Sequence, residues 1–168
     1  PRTVAAALEP HLDLKSRTIK LGGLSEGQRK TLASVDRILI VACGTSFYAG
    51  MIGEYLIEQL ARVPVEVEFA SEFRYRSPVI EPKSLVVVIS QSGETADTLA
   101  ALKLAKESGA QVLSIVNVPN STIDRESHIH LYMNSGPEVG VASTKALTST
   151  MAVLSVLAAD LAKTHGRL

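Results

Sequence analysis

The sequence has no tryptophan, few aromatic residues and no excess of charge of either sign. Its 168 residues include 17 Lys and Arg and 17 Asp and Glu, so the formal net charge is zero. A neutral chain exerts no long-range attraction on nucleic acid or on an anionic membrane. With 4% aromatic residues it also lacks a platform on which single-stranded bases could stack. We therefore expect neither nucleic acid nor a membrane as a partner.

Cysteine is also scarce. Cys43 is the single cysteine, which excludes an internal disulfide and is typical of a protein in the reducing cytoplasm. No signal peptide is visible, and the most strongly apolar stretch, Met151–Ala159, is too short to span a bilayer. Because the chain begins with Pro1 rather than Met, we expect a longer parent protein.

What the chain does have is a regular alternation of apolar strands and amphipathic helices. The hydrophobic content of 46% is enough to build a real core. Strands that alternate with helices and have apolar interiors indicate a parallel sheet covered on both faces, which is a three-layer α-β-α domain. The predicted strands are Arg37–Ala42, Pro64–Phe69, Leu85–Ser90, Gln111–Asn117 and His128–Tyr132.

Helices are predicted between these strands and in the amino-terminal segment. We expect residues 1–35 to be a helical lead-in packed on the domain and residues 36–168 to be the domain itself. Ser25 and Gln28 have the spacing of a capping box at a helix start within the lead-in. The other predicted helices are Val4–Leu8, Ser46–Leu60, Ser71–Tyr75, Glu94–Ser108 and Ser143–Lys163.

The stretch LVVVISQSGETADT, residues 85–98, is the most informative motif. A buried strand passes directly into a helix through a turn that contains Ser90, Ser92, Gly93 and Thr95. The first turn of a helix presents unpaired N–H groups and the positive end of the helix dipole, so it attracts anions. The turn has no Lys or Arg, and the chain has no G-x-x-x-x-G-K-[ST] motif. The motif therefore favours a phosphate monoester over a nucleotide polyphosphate.

Two further hydroxyl-rich segments follow the same logic. Cys43-Gly44-Thr45-Ser46 ends the first long strand, and residues 140–145, GVASTK, open the last helix. Ligands of doubly wound sheets bind outside the carboxyl ends of the strands, where such turns converge. We therefore expect one site for a polyol or a phosphate at this edge of the sheet.

These segments also carry a family resemblance. CGTS, SQSGETADT and GVASTKA, in this order, resemble the sugar isomerase (SIS) fold. ASEFRYR (residues 70–76), NVPNS (residues 117–121) and EVGVASTKA (residues 138–146) resemble more closely the isomerase part of the glutamine–fructose-6-phosphate aminotransferase family. The resemblance implies a flavodoxin-like fold with a five-stranded parallel sheet. It also implies a role in glucosamine 6-phosphate synthesis, the first step toward UDP-N-acetylglucosamine.

The resemblance also implies ligand contacts. Ser90, Ser92 and Thr95 would hold the sugar phosphate with Ser46 beside them, whereas Thr45, Gln91, Val141 and Ser143 would contact the sugar or line its site. It implies no cofactor and no metal. The resemblance also implies a glutaminase domain and a second SIS domain in the parent, with the catalytic acid, base and lysine supplied by the second SIS domain and the carboxyl-terminal tail. We therefore expect a first SIS half that binds fructose 6-phosphate or glucosamine 6-phosphate but converts little or none of it. We expect its partners to be the missing domains of the parent and a second copy in a homodimer.

Several other interpretations remain open at this stage. Ser92, Thr45 and Ser46 could be ordinary helix caps. Glu94 could be a general base, although a helix amino terminus favours its ionised form, and Lys145 in the first turn of the last helix suggests an anion nearby.

Other side chains have plain structural interpretations. Cys43 is expected to be a small buried residue rather than a nucleophile. Arg74 and Arg76 are expected in surface or inter-domain ion pairs. His128 and His130 share one face of a strand but lack further metal ligands, and His11 and His165 are expected at the surface.

Two alternative functions also remain open. One is a phosphosugar-sensing SIS module, and the other is a stand-alone phosphosugar isomerase or deglycase whose dimer completes the site.

Overall fold

The computed structural model describes residues 2–13, 15–138 and 143–168. Its strands are β1 (Leu12–Asp13), β2 (Thr18–Ile19), β3 (Arg37–Ala42), β4 (Val65–Phe69), β5 (Ser84–Ser90), β6 (Gln111–Val116) and β7 (Ile129–Tyr132). β1 and β2 pair in antiparallel fashion, and the others form one five-stranded parallel sheet in the order β4-β3-β5-β6-β7. The predicted five-stranded parallel sheet is confirmed, whereas the β1–β2 hairpin was not predicted.

Helices follow most of the strands and cover both faces of the sheet. They are α1 (Arg2–Leu8), α2 (Glu26–Ala33), α3 (Thr45–Ala61), α4 (Ala70–Phe73), α5 (Ala96–Glu107), α6 (Thr122–Glu126) and α7 (Lys145–Thr164), with a short 3-10 turn at Glu9–His11. One core contains buried residues of α1, α2, α3 and α7, and the other contains buried residues of α4, α5 and α6. The predicted three-layer α-β-α architecture is therefore confirmed.

The central strands are buried on both faces because the side chains of a strand alternate between the two cores. On β3, Ile38 and Ile40 belong to the core under α3 and α7, whereas Leu39 and Val41 belong to the core under α5. Every residue of β5 is buried. β3 lies between β4 and β5, so the chain leaves β3 first toward one edge and then toward the other. This reversal places the crevice of a doubly wound sheet at the carboxyl ends of β3 and β5.

The amino-terminal segment is tied to α7. The backbone N–H of Leu21 donates to Asp160 Oδ1 at 3.1 Å. The predicted capping box of α2 is present: Ser25 Oγ accepts from the Gln28 N–H, and Gln28 Oε1 accepts from the Ser25 N–H. The surface position predicted for His11 is wrong, because its side chain is 5% exposed and its Nδ1 accepts from the Gly22 N–H at 2.9 Å.

Helix α7 is buried by its own domain. The core that contains buried residues of α1, α2 and α3 also contains Val153, Val156 and Ala158, which lie beside the main apolar stripe of α7. A second copy is therefore not needed to cover them. By length and composition α7 could cross a membrane, unlike the shorter stretch considered from the sequence, but 61% of its apolar window is buried inside this domain. A buried core helix accounts for its composition.

Two glycines let helix α3 pack closely against its neighbours. A Cβ at Gly50 would lie 2.9 Å from Ile40 Cγ2, and one at Gly53 would lie 3.0 Å from Leu154. These glycines let α3 approach β3 and α7 closely, so Ala49, Ile57 and the glycines form the buried face. The large residues Tyr48, Met51, Ile52 and Tyr55 are left exposed on the other side.

Candidate functional site

The turns after β3 and β5 meet in an open cleft at the carboxyl edge of the sheet. The cleft has a volume of about 400 Å³, and Ser143, just before α7, contributes to its wall. Val141 lies outside the described residues. All the other predicted site residues line the cleft: Thr45, Ser46, Ser90, Gln91, Ser92, Thr95 and Ser143.

The turn after β5, residues 91–95, is held in shape by its own hydroxyls. Ser90 Oγ accepts from the Gly93 N–H at 3.0 Å and lies 2.8 Å from Thr95 Oγ1. Ser92 Oγ accepts from the Glu94 N–H at 3.2 Å. Gly93 has a φ of +69°, a conformation that favours glycine. We call residues 91–95 the ligand loop.

The ligand loop delays the start of α5. The predicted helix begins at Glu94, but α5 begins at Ala96 because Ser92 and Glu94 take part in the turn. The interpretation of Ser92 as the N-cap is therefore wrong, since Thr95 occupies that position. Among the described residues, no side-chain cap bond comes from Thr95. Thr95 lines the cleft, so the amino terminus of α5 borders it, and the acidic residue of the first turn is Asp97.

The turn after β3 also leaves its hydroxyls outside the cap position. Gly44, with a φ of +56°, is the N-cap of α3, and as a glycine it has no side chain with which to cap the helix. Thr45 and Ser46 lie in the first turn of the helix, so the interpretation of either as the N-cap is wrong. Their positions at the lip of the cleft are consistent with contacts to a ligand.

The start of α7 is different because the chain supplies its own anion. Glu138 Oε1 accepts from the N–H groups of Thr144 at 2.8 Å and Lys145 at 2.9 Å, and Glu138 Oε2 accepts from Ser143 Oγ at 3.0 Å. Burial tends to raise the pKa of Glu138, but these hydrogen bonds outweigh it and the pKa is lowered. The anion suggested by Lys145 is therefore an internal carboxylate, which sequence reasoning missed. A Glu shortly before a helix start is the signal that could have revealed it.

No charged side chain is among the described residues that line the cleft. The two arginines of the ASEFRYR segment are engaged elsewhere: Arg74 pairs with Asp97 at 2.8 Å, and Arg76 pairs with Glu68. Both pairs lie within this chain. Cys43 also lines the cleft, and its Sγ lies 3.8 Å from Thr98 Oγ1. The described residues of the cleft can therefore offer hydroxyls, an amide and helix dipoles to an anion, but no full positive charge.

The two histidines near β7 have structural partners. His128 Nδ1 accepts from the Val112 N–H at 3.0 Å, and His130 Nδ1 lies 3.0 Å from Asp124 Oδ1. Within residues 2–13, 15–138 and 143–168, no group of three His, Cys, Asp or Glu side chains is arranged to hold a metal ion.

Comparison with known proteins agrees with this geometry. The sequence profile of the SIS domain matches residues 31–159. The chain belongs to the SIS domain family. The glutamine–fructose-6-phosphate aminotransferase (isomerizing) of Chlorobaculum tepidum is 53% identical over 163 residues, which cover 97% of this chain and 26% of that protein. The enzyme of the same name from Bacteroides thetaiotaomicron is 47% identical over 100% of this chain and 27% of that protein. This SIS chain therefore spans about a quarter of the length of these relatives.

A solved structure shows the same fold at high similarity. The carboxyl-terminal domain of glucosamine-fructose-6-phosphate aminotransferase from Francisella tularensis superimposes with a TM-score of 0.95 at 42% identity. The match covers 100% of this SIS chain and 47% of that one. The resemblance seen in the sequence is confirmed at the level of family and fold.

Proposed function

We propose that this chain is the first SIS half of a glutamine–fructose-6-phosphate aminotransferase and that its cleft binds fructose 6-phosphate or glucosamine 6-phosphate. The observation that carries the proposal is the convergence of two strand-to-helix turns on one cleft lined by hydroxyls. Ser46, Ser90, Ser92 and Thr95 would hold the phosphate. Thr45, Gln91, Val141 and Ser143 would contact the sugar.

The chemistry of the cleft supports a sugar phosphate. Hydroxyls and helix amino termini bind phosphate through dipoles, and hydroxyls and amides also match the hydroxyls of a sugar. The volume of about 400 Å³ lies within the range of small-molecule sites. A nucleotide triphosphate would need cationic side chains or a metal ion to offset its charge, and the described cleft residues include no cationic side chain.

We further propose that the chain binds without turnover. Moving a proton between C1 and C2 of the sugar needs a positioned acid and base, and the described cleft residues offer only hydroxyls, an amide and the Cys43 thiol as polar side chains. In the parent protein, the missing second SIS domain and glutaminase domain would supply these groups and the ammonia. We also propose that the protein is cytoplasmic, because Cys43 is its single cysteine. We further propose that the boundary between the lead-in and the SIS domain lies between residues 35 and 36.

We also propose a partner surface on α3. Tyr48, Met51, Ile52 and Tyr55 are 60%, 39%, 42% and 72% exposed. Their spacing places them on one side of the helix, which is typical of an apolar face covered by another domain. In the parent this face would be covered by the second SIS domain or by a second copy. We expect the isolated chain to be a dimer in light scattering and Tyr55→Glu to dissociate it; a wild-type monomer at all concentrations would contradict the dimer.

The binding proposal is tested by calorimetric titration of this chain with fructose 6-phosphate and glucose 6-phosphate. Free fructose and inorganic phosphate serve as ligand controls. Ser92→Ala should weaken sugar-phosphate binding by about 1–3 kcal/mol, the cost of leaving a polar group without its partner. Ser155→Ala, at an exposed serine of α7, should leave binding unchanged. No binding at millimolar ligand would show that the isolated half is not a competent site.

The claim about turnover needs a separate assay. We expect no conversion of fructose 6-phosphate to glucose 6-phosphate by the isolated chain. Conversion that is lost in Ser92→Ala would contradict the placement of the acid and base outside this chain.

A further inference from the structure

Glu94 places a negative charge within the ligand loop, beside the proposed site for an anion. It is the only charged residue among Gln91–Thr95. A free carboxylate there would repel a phosphate, because like charges a few ångströms apart destabilise each other. The structure shows where this charge goes. Glu94 Oε1 accepts from the backbone N–H of Thr122, the first residue of α6, at 2.7 Å, and Glu94 is not among the residues that line the cleft.

The main chain of the ligand loop rests on the same part of α6. The carbonyl of Gly93 accepts from the Ile123 N–H at 3.0 Å. A Cβ added at Gly93 would lie 1.9 Å from Ser121 Oγ, so the loop and the start of α6 are in direct contact. The carbonyl of Gln91 accepts from the Asn117 N–H at 3.2 Å. Residues 117–123 therefore form a base that contacts the loop at Gln91, Gly93 and Glu94.

We propose that Glu94 is a positioning residue that clamps the ligand loop to the first residue of α6 and turns its own charge away from the bound phosphate. The proposal rests on the proposed function, since it concerns how the same cleft holds its ligand. The clamp joins a side chain of the loop to the first residue of the helix that the loop main chain also contacts. It therefore reduces the freedom that the loop would otherwise lose when the phosphate binds.

The geometry also explains why Glu94 is not used as a base. Its Oε1 is engaged by the main-chain N–H of Thr122, and neither residue is among the described residues that line the cleft. The hydrogen bond to the Thr122 N–H lowers the pKa of Glu94, which keeps the carboxylate ionised and weakens it as a base. An ionised carboxylate makes a stronger hydrogen bond to the N–H, so charge and clamp reinforce each other.

The start of α6 offers a precise way to remove the clamp. Thr122→Pro deletes the N–H that Glu94 accepts, at the first position of a helix, where proline is well tolerated. The preceding residue, Ser121, already has φ −64° and ψ 166°, which is the conformation that a following proline requires. Thr122→Ala keeps the N–H and removes only the hydroxyl, whose hydrogen bond to Glu94 is the second cause of its lowered pKa, so this variant separates the side-chain contribution from the main-chain one.

The experiment measures the affinity of this chain for fructose 6-phosphate and for inorganic phosphate in wild type, Glu94→Ala, Glu94→Gln, Thr122→Pro and Thr122→Ala. We expect Glu94→Ala and Thr122→Pro to weaken both ligands by a similar factor, about three- to tenfold, and the double variant to add little. Glu94→Gln keeps the acceptor oxygen and removes the charge, so its affinity should stay within about twofold of wild type. Thr122→Ala should bind more tightly than Thr122→Pro because it keeps the main-chain N–H, and urea unfolding should show that no variant is unfolded.

Amide hydrogen exchange tests the clamp without a ligand. The Thr122 amide should be protected in wild type and should exchange faster in Glu94→Ala. Equal affinities of Glu94→Ala, Thr122→Pro and wild type would overturn the clamp and leave the proposed function standing. A wild-type chain that binds neither ligand would overturn the proposal that the isolated half is a competent site, and the exchange of the Thr122 amide would then decide whether the clamp exists.

Discussion

Helices α5 and α7 both begin at the cleft, but their amino termini are satisfied in different ways. At α7 an internal carboxylate, that of Glu138, takes the N–H groups of Thr144 and Lys145. At α5 the preceding turn is held by neutral hydroxyls, and Thr95 adds no side-chain cap within the described chain. The one carboxylate of that turn, on Glu94, is directed to α6 instead.

Under the proposed function, this difference separates a structural helix start from a ligand-binding one. The positive end of a helix attracts whichever anion reaches it, so an internal carboxylate stabilises the fold but competes with a ligand. The α7 start uses its dipole for the fold. At the α5 start, the carboxylate of Glu94 is bonded to α6 and that of Asp97 is paired with Arg74, so under the proposed function the dipole serves an external anion. Substitutions at the two starts should therefore affect stability and binding in different proportions.

The largest effect is expected for Gly93→Ala in the ligand loop. The added Cβ would meet Ser121 Oγ at 1.9 Å, and φ is +69°. We expect a loss of about 3 kcal/mol in the free energy of unfolding, from overpacking and backbone strain together, and loss of sugar-phosphate binding. Urea unfolding and calorimetry measure the two effects.

Gly109→Ala is the matched control at the other end of α5. Gly109 also has a positive φ, +81°, but a Cβ there would meet nothing within 4 Å. We expect a loss of about 1 kcal/mol from strain alone and unchanged binding. Equal losses at the two glycines would show that the contact with Ser121 has no energetic weight.

Ser90→Ala should produce the next largest effect. Ser90 is 2% exposed, and its Oγ is the acceptor for the Gly93 N–H. Removing it leaves a buried N–H without a partner, which costs about 2 kcal/mol of stability. Ser92→Ala, at an exposed residue of the adjoining ligand loop, should change stability by less than about 0.5 kcal/mol while still weakening binding. If Ser92→Ala destabilised the chain as much as Ser90→Ala, the separation of structural and ligand roles within the loop would be wrong.

Glu138→Ala should destabilise the chain by about 1 kcal/mol at pH 7, the usual cost of losing a helix cap. Because the pKa of Glu138 is lowered in the fold, its contribution is complete above the ordinary glutamate value of 4.5 and is lost as the pH falls through the folded value. The difference in unfolding free energy between wild type and variant should therefore begin to shrink as the pH falls below 4.5 and continue to shrink toward lower pH. Urea titrations between pH 3 and pH 7 measure it.

Glu107→Ala provides the comparison for Glu138. Glu107 is an exposed carboxylate in the last turn of α5, where the helix dipole disfavours it. Its removal should be neutral or slightly stabilising at pH 7. A loss equal to that of Glu138→Ala would indicate a general effect of charge rather than a cap.

The smallest effect is expected for Asp97→Asn in the first turn of α5. Asp97 pairs with Arg74 at 2.8 Å, and the two side chains are 41% and 34% exposed. Exposed ion pairs contribute little, so we expect a loss of about 0.5 kcal/mol that disappears at high salt. A loss of more than about 1.5 kcal/mol would mean that this pair supports the ligand loop.

The elements of the sheet could be predicted from the sequence with small errors at their ends. The strands β3, β5 and β6 are runs of apolar residues bounded by polar turns, and that pattern has few other interpretations in a chain with intervening helices. The helix starts were predicted less well. At α5 and α7 the first helical residues lie two positions later than predicted, because Ser92, Glu94 and Ser143 bond to neighbours that periodicity cannot reveal.

By itself, the sequence determined the three-layer architecture and the edge of the sheet at which the hydroxyl-rich turns meet. These follow from local periodicity and from the rule that parallel strands share one carboxyl edge. Only the tertiary structure decided which face of α3 is buried, where Gly50 and Gly53 let the helix approach its neighbours and leave Tyr48 and Tyr55 outside. It also decided where Glu94 and Glu138 direct their carboxylates, because a side chain's partner depends on what the fold brings near it. Thr122 lies far from Glu94 in the sequence, and no local pattern joins them.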